Sequence, residues 1–241
     1  MTEWKKILLV GTYSAGKTTL INALIGKKVL SLASETEDIT CVYNEEASTE
    51  HPIIYNCNQY IGVKFDRNLS KKQVCFIDTP GWGNIHIIER VIKRGQINTI
   101  LFVINASHLY SEYDKDLANL LSGISGIKIL FCITRCDDYA PEEDDIVQLI
   151  GWYKKTLKDM LKEEQIHNPT ILTISPLTAL LVKQRGNGKE PRDYHLFVDR
   201  INEYPAFHLE KYCDNKIECP GDELLKHTGI LNLESLLYEE R

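Results

Sequence analysis

A chain of 241 residues with 43% hydrophobic and 26% charged residues can bury a proper core and suits one large domain, spanning residues 1–241, with room for an elaboration. The formal net charge of −6 counts against a nucleic-acid partner gripped mainly through its phosphates, although a total says nothing about local patches. Seven cysteines, an odd number in no framework spacing, fit a reducing cytosol and hence a cytoplasmic protein.

In chain order, Met1-Thr2-Glu3-Trp4-Lys5-Lys6 carries no leader pattern and leads straight into an apolar run at 6–10, a first strand. Nowhere does an apolar run approach the roughly 20 residues that span a bilayer. A helix follows at 17–25. Residues 51–55 and 60–65 are candidates for a hairpin. Near-continuous apolar runs at 74–77, 99–104, 127–133 and 170–174 read as strands buried on both faces. Cys75 and Cys132 lie inside two of them and read as buried free thiols. Helical patterns fall between, at 85–94, 112–121 and 142–164. In the last, Ile146, Leu149, Ile150, Tyr153, Leu157, Met160 and Leu161 recur at three- and four-residue steps, with Pro141 and acidic residues at its start. Residues 182–228 differ in composition. Gln184-Arg185-Gly186-Asn187-Gly188 opens a polar loop, and the stretch reads as an insertion before a closing helix at 230–238. Cys213 and Cys219, with His208 and His227, match no zinc spacing and read as surface loop. Strands alternating with helices predict an α/β fold: a mostly parallel, doubly wound sheet with helices on both faces.

Four strand ends carry chemistry. Residues 11–19 read G-T-Y-S-A-G-K-T-T and match G-x-x-x-x-G-K-[ST] between a strand and a helix. Glycines let backbone N–H groups wrap a phosphate, and the helix adds its positive end. The candidate phosphate cradle is Gly11, Tyr13, Ser14, Ala15, Gly16, Lys17, Thr18 and Thr19. Lys17 would reach the β- and γ-phosphates and the Thr18 hydroxyl would ligate Mg²⁺. Asp78-Thr79-Pro80-Gly81 follows the second long strand: Asp78 would hold Mg²⁺ through its water shell, and the Gly81 N–H would sense the γ-phosphate. Thr134-Arg135-Cys136-Asp137 follows the next but one. A carboxylate at Asp137 can accept two hydrogen bonds from guanine that adenine does not offer, which points to GTP and GDP as ligands. Ser175-Pro176 follows the last strand, where a small residue lets backbone N–H groups reach the guanine oxygen.

Order and spacing of these four resemble the P-loop GTPases of the translation-factor class. The closest look is to the GTPase domain of dynamin-like, bacterial-type large GTPases, on Ser14-Ala15-Gly16-Lys17-Thr18, Asp78-Thr79-Pro80-Gly81-Trp82 and residues 174–181; Era-type and septin-like GTPases share several of these strings. The resemblance implies a GTPase that hydrolyses GTP to GDP and phosphate with Mg²⁺, stimulated by pairing of two G domains. It implies a switch threonine that closes over Mg²⁺, Thr36, with Thr40 as the alternative. It implies Ser14 as a catalytic phosphate-loop side chain beside a bound monovalent cation, since Trp82 stands where Ras-type enzymes carry a water-orienting glutamine. Two departures stand out: Arg135 replaces the usual lysine and is expected to lie over the purine, and Tyr13 replaces a frequent glutamine. Dynamin-like proteins carry a helical stalk after this domain, so membrane association is expected only through a segment outside this chain or through a partner. A regulatory module with little turnover and an Era-type ribosome- or RNA-associated GTPase are the alternatives.

Overall fold

Side-chain alternation sets the architecture. The computed structural model describes residues 3–31, 38–65, 69, 72–81, 85–136, 146–186, 225, 226 and 228–238. Along the chain it contains β1 (Lys5–Val10), α1 (Lys17–Ile25), β2 (Thr40–Asn44), β3 (Gln59–Val63), β4 (Val74–Asp78), α2 (Ile85–Arg94), β5 (Thr99–Asn105), α3 (Glu112–Ser122), β6 (Lys128–Thr134), α4 (Ile146–Glu163), β7 (Thr170–Ile174), α5 (Pro176–Gly186) and α6 (Ile230–Tyr238). The strands form one seven-stranded sheet in the order β3-β2-β4-β1-β5-β6-β7. Every junction is parallel except β2 with β4, where Thr40 pairs with Asp78 and Tyr43 with Cys75.

Successive side chains of a strand face opposite ways. Ile7, Leu9, Phe76, Leu101, Val103 and Cys132 therefore pack on one face with α1, α5 and α6. Leu8, Val10, Cys75, Ile77, Phe102 and Ile133 pack on the other with α2, α3 and α4. Both faces are covered, so β4 and β5 are buried along their whole length, as the unbroken apolar runs require. Cys75 and Cys132 are fully buried free thiols.

Two expectations change. The hairpin of 51–55 with 60–65 does not form. Pro52 removes a ladder donor from the first segment. The Tyr60 hydroxyl then takes the place of a backbone partner, accepting from Ile54 N at 3.1 Å and donating to Ile54 O at 3.2 Å. Gln59–Val63 instead pairs in parallel with β2, a strand whose polar-ended sequence Thr-Cys-Val-Tyr-Asn gave no strand signal. The polar loop expected from Gln184 begins later, because α5 continues to Gly186. Most of the expected insertion, with Cys213, Cys219, His208 and His227, lies outside the described residues, as do the first residues of the long helical pattern at 142–164.

Candidate nucleotide site

Every motif-bearing turn leaves the same end of the sheet. β1 sits between β4 and β5, so the loop after β1 is flanked by the ends of its two neighbours. The approach is close. A side chain at Gly11 would place its first carbon 2.1 Å from Val103 O on β5, so only glycine lets the loop leave β1 here. Gly81, three residues past the end of β4, lies against the loop itself: a Cβ there would stand 2.4 Å from Tyr13 Cα. Gly81 and the loop at residues 12–13 thus touch backbone to backbone.

Within the cradle, α1 begins at Lys17, directly after Gly16. Lys17 is buried, and its ammonium donates to Gly11 O and Thr12 O, each at 3.0 Å. Burial lowers its pKa, and the nearby carboxylates Asp78 and Asp114 oppose that shift. A cation held at the mouth of the loop with few solvent partners is a site for a polyanion. The Thr18 hydroxyl donates to Asp78 Oδ2 at 2.8 Å, across a sequence gap of 60 residues. Asp78 closes β4 and is 1% exposed. One hydroxyl and one carboxylate side by side are hard oxygen donors. Together with phosphate oxygens they suit Mg²⁺, which keeps several waters and takes only one or two protein carboxylates. Among the described residues no group of three or more His, Cys, Asp or Glu side chains could hold a metal by itself.

The turns are tied to the cradle by hydroxyls. Thr79 donates to Leu9 O at 2.7 Å. Thr134, at the end of β6, donates to Ala15 O at 2.6 Å, with Ile104 O alongside at 3.2 Å. Arg135 Nη2 donates to Ser14 Oγ at 3.0 Å. Ser175 N donates to Thr228 O at 2.9 Å, and Pro176 opens α5, a first-turn place where its missing N–H costs nothing. Ala15 is buried, Thr19 half-buried on the first turn of α1, and Tyr13 46% exposed at the rim. Thr40 is buried at the start of β2 and faces Asp78 across the sheet. Thr36, Trp82 and Asp137 lie outside the described residues.

One group escaped the sequence reading. Asp114, on the first turn of α3, is fully buried, and its Oδ2 accepts from Ser111 N at 2.9 Å and Ser111 Oγ at 2.8 Å. Its Oδ1 is buried with no hydrogen-bond partner. Burial raises its pKa, against the hydrogen bonds from Ser111 and the charge of Lys17. The signal was present as Ser111-x-x-Asp114, a capping-box spacing.

The sequence model of a family described as 50S ribosome-binding GTPase matches residues 6–135. GTPase Era of Borreliella afzelii (strain PKo) is 25% identical over 236 residues, covering 95% of this chain and 68% of that protein. Among solved structures, Toc33 from Arabidopsis thaliana in complex with GDP and Mg²⁺ aligns with a TM-score of 0.53 at 16% identity, covering 73% of this chain and 72% of that one. An oligomerised bacterial dynamin pair, described as sensing and tethering membranes, aligns with a TM-score of 0.56 at 16% identity, covering 98% of this chain and 48% of that one. At such identities the structural likeness speaks for the fold.

Proposed function

The chain belongs to the family described as 50S ribosome-binding GTPases, and from that premise we propose that it is a Mg²⁺-dependent GTP switch whose turnover rises when two G domains meet. Hydrolysis of GTP is the activity of the family and of GTPase Era. The observation that carries the site assignment is the 2.8 Å contact between the Thr18 hydroxyl and the Asp78 carboxylate beside the Lys17 ammonium. Mg²⁺ bound there would neutralise charge on the β- and γ-phosphates. The chain's own groups do the rest. Backbone N–H groups of residues 11–18 cradle the phosphates, Lys17 holds their charge, and Gly81 sits where loss of the γ-phosphate is felt. Asp137 selects guanine, Ser175-Pro176 approaches the purine, and Thr36 (with Thr40 as the alternative) closes over the metal. The pairing of two G domains is supported by the general likeness of fold to the dynamin structure and by Trp82 in place of a water-orienting glutamine.

Affinities for GTP and ATP, each with and without Mg²⁺, test the assignment. GTP should bind more tightly than ATP by at least about a hundredfold, and Lys17→Ala should abolish both binding and turnover. Equal affinity for the two nucleotides would sink the guanine reading. Specific activity should climb with protein concentration, and a flat profile over a wide range removes the paired-domain step alone.

A second reading is favoured by the family description and by the match to Era along nearly the whole chain: a switch that docks on the large ribosomal subunit. It sets aside the expectation from net charge that nucleic acid plays no part. Co-sedimentation with 50S subunits in GTP but not GDP would support it.

A further inference from the structure

We propose that the Arg135 guanidinium supplies a built-in positive charge to the phosphate side of the site through Ser14, filling the place of a dissolved monovalent cation. The inference rests on the GTPase reading above and names a role within that site. From its position in the base-recognition turn, Arg135 would be expected to lie over the purine. Its Nη2 instead donates to the side chain of Ser14, at 3.0 Å, in the middle of the phosphate loop. Both residues are exposed, so the bond is made at the rim of the cradle, within reach of solvent and ligand. Each has φ of 58°, a left-handed backbone that non-glycine residues seldom adopt and keep only where the surroundings hold it. The adjacent bond from Thr134 to Ala15 O fixes the same two segments against one another. The guanidinium therefore lies against the cradle, beside a tie to the backbone that holds the two segments together.

The chemistry follows from the donor. A guanidinium is charged at every physiological pH and offers five N–H groups in a rigid fork. In GTP hydrolysis water attacks the γ-phosphorus, the bond to the β–γ bridging oxygen breaks, and negative charge shifts onto that oxygen and the departing phosphate. An arginine supplied from the same chain stabilises such charge. A Ser14 hydroxyl that already accepts from a cation is a poor ligand for a second one, because like charges at that separation repel strongly. Arg135 acts here as a positioning residue: it fixes the Ser14 hydroxyl and adds charge beside it.

The test is GTP turnover by the full chain in Mg²⁺ buffers whose monovalent cation is N-methylglucamine, Na⁺ or K⁺, for the wild type, Arg135→Ala, Arg135→Lys, Ser14→Ala and the double alanine variant. GMP affinity is measured alongside. The wild-type kcat should agree within about twofold across the three cations. Arg135→Ala should lower kcat by about 10–100-fold in N-methylglucamine, less than the roughly 10³–10⁵-fold of an arginine that contacts the phosphates directly because Arg135 acts through Ser14, and K⁺ should restore part of the loss. GMP affinity should change little, Arg135→Lys should fall between wild type and alanine, and the double variant should match Arg135→Ala, since coupled residues are not additive. A wild type several-fold faster in K⁺ overturns the proposal. So does an Arg135→Ala protein that keeps kcat while losing GMP and GTP affinity equally, the signature of purine stacking. A wild type with no more turnover than Lys17→Ala would sink the GTPase reading itself, and this inference with it.

Discussion

Asp114 shows how a single buried carboxyl can matter to a site it does not touch. Its Oδ2 is held by two bonds from Ser111, while its other oxygen is enclosed without a partner. Desolvation dominates, so the folded-state pKa lies above the ordinary 3.8. The stability this group contributes is complete below pH 3.8 and is lost as pH rises through the raised folded value, because the unfolded chain gives up the proton first. Asp114→Asn keeps an acceptor for Ser111 and removes the titration. Thermal melts of both proteins from pH 3.8 to neutrality should show the variant gaining on the wild type as pH rises. A difference independent of pH would mean that the carboxyl does not titrate in this range. Lys17 moves the other way: burial lowers its pKa, and its partner carboxylates limit how far.

Among the elements, α1, α5 and α6 share one charged tie. Lys183 on α5 donates to Ala23 O on α1 at 2.7 Å and forms a short ion pair with Glu234 on α6. The lysine side chain is 7% exposed and the glutamate 18%. Removing one partner of such a pair strands the other. Lys183→Met should cost about 3 kcal/mol, the low end for a buried pair because Glu234 keeps some water. Lys183→Met with Glu234→Leu should recover most of that loss, read by chemical denaturation. An unchanged midpoint for the single variant would show that the tie carries no stability. Elements also mark how much of the molecule was legible. The ends of β1, β4, β6 and β7 could be placed because each motif follows directly on an apolar run that the structure bears out as a strand. β3 was anticipated at 60–65 but with the wrong partner, and β2 was not read at all: Thr40 and Asn44 hide its strand pattern, and its stability comes from pairing with β4, a long-range partner. The Arg135–Ser14 bond spans 121 positions, and no local pattern announces it. Ser111 and Asp114 were legible by spacing, but not the burial of Asp114.

On the scale of the whole molecule, the motif-bearing turns are gathered at one end of a sheet whose two faces are separately packed. Strand order does this: parallel strands send their C-terminal ends the same way, and right-handed crossovers bring each following helix over a face. The closing helix α6 belongs to the face that α1 covers, whereas Trp4 at the other end of the described chain packs on the opposite face.

The cradle hangs from β1, the central strand of the seven. A loop so rooted keeps its shape until the sheet itself gives way, so recognition and global folding are thermodynamically linked. Nucleotide with Mg²⁺ should then raise the melting temperature of the entire cooperative transition, by about 2.7 kcal/mol of added stability at a hundred times the dissociation constant. Calorimetric scans at increasing GDP should show one peak marching upward. A second, ligand-insensitive peak would mean that part of the molecule melts independently of its central strand.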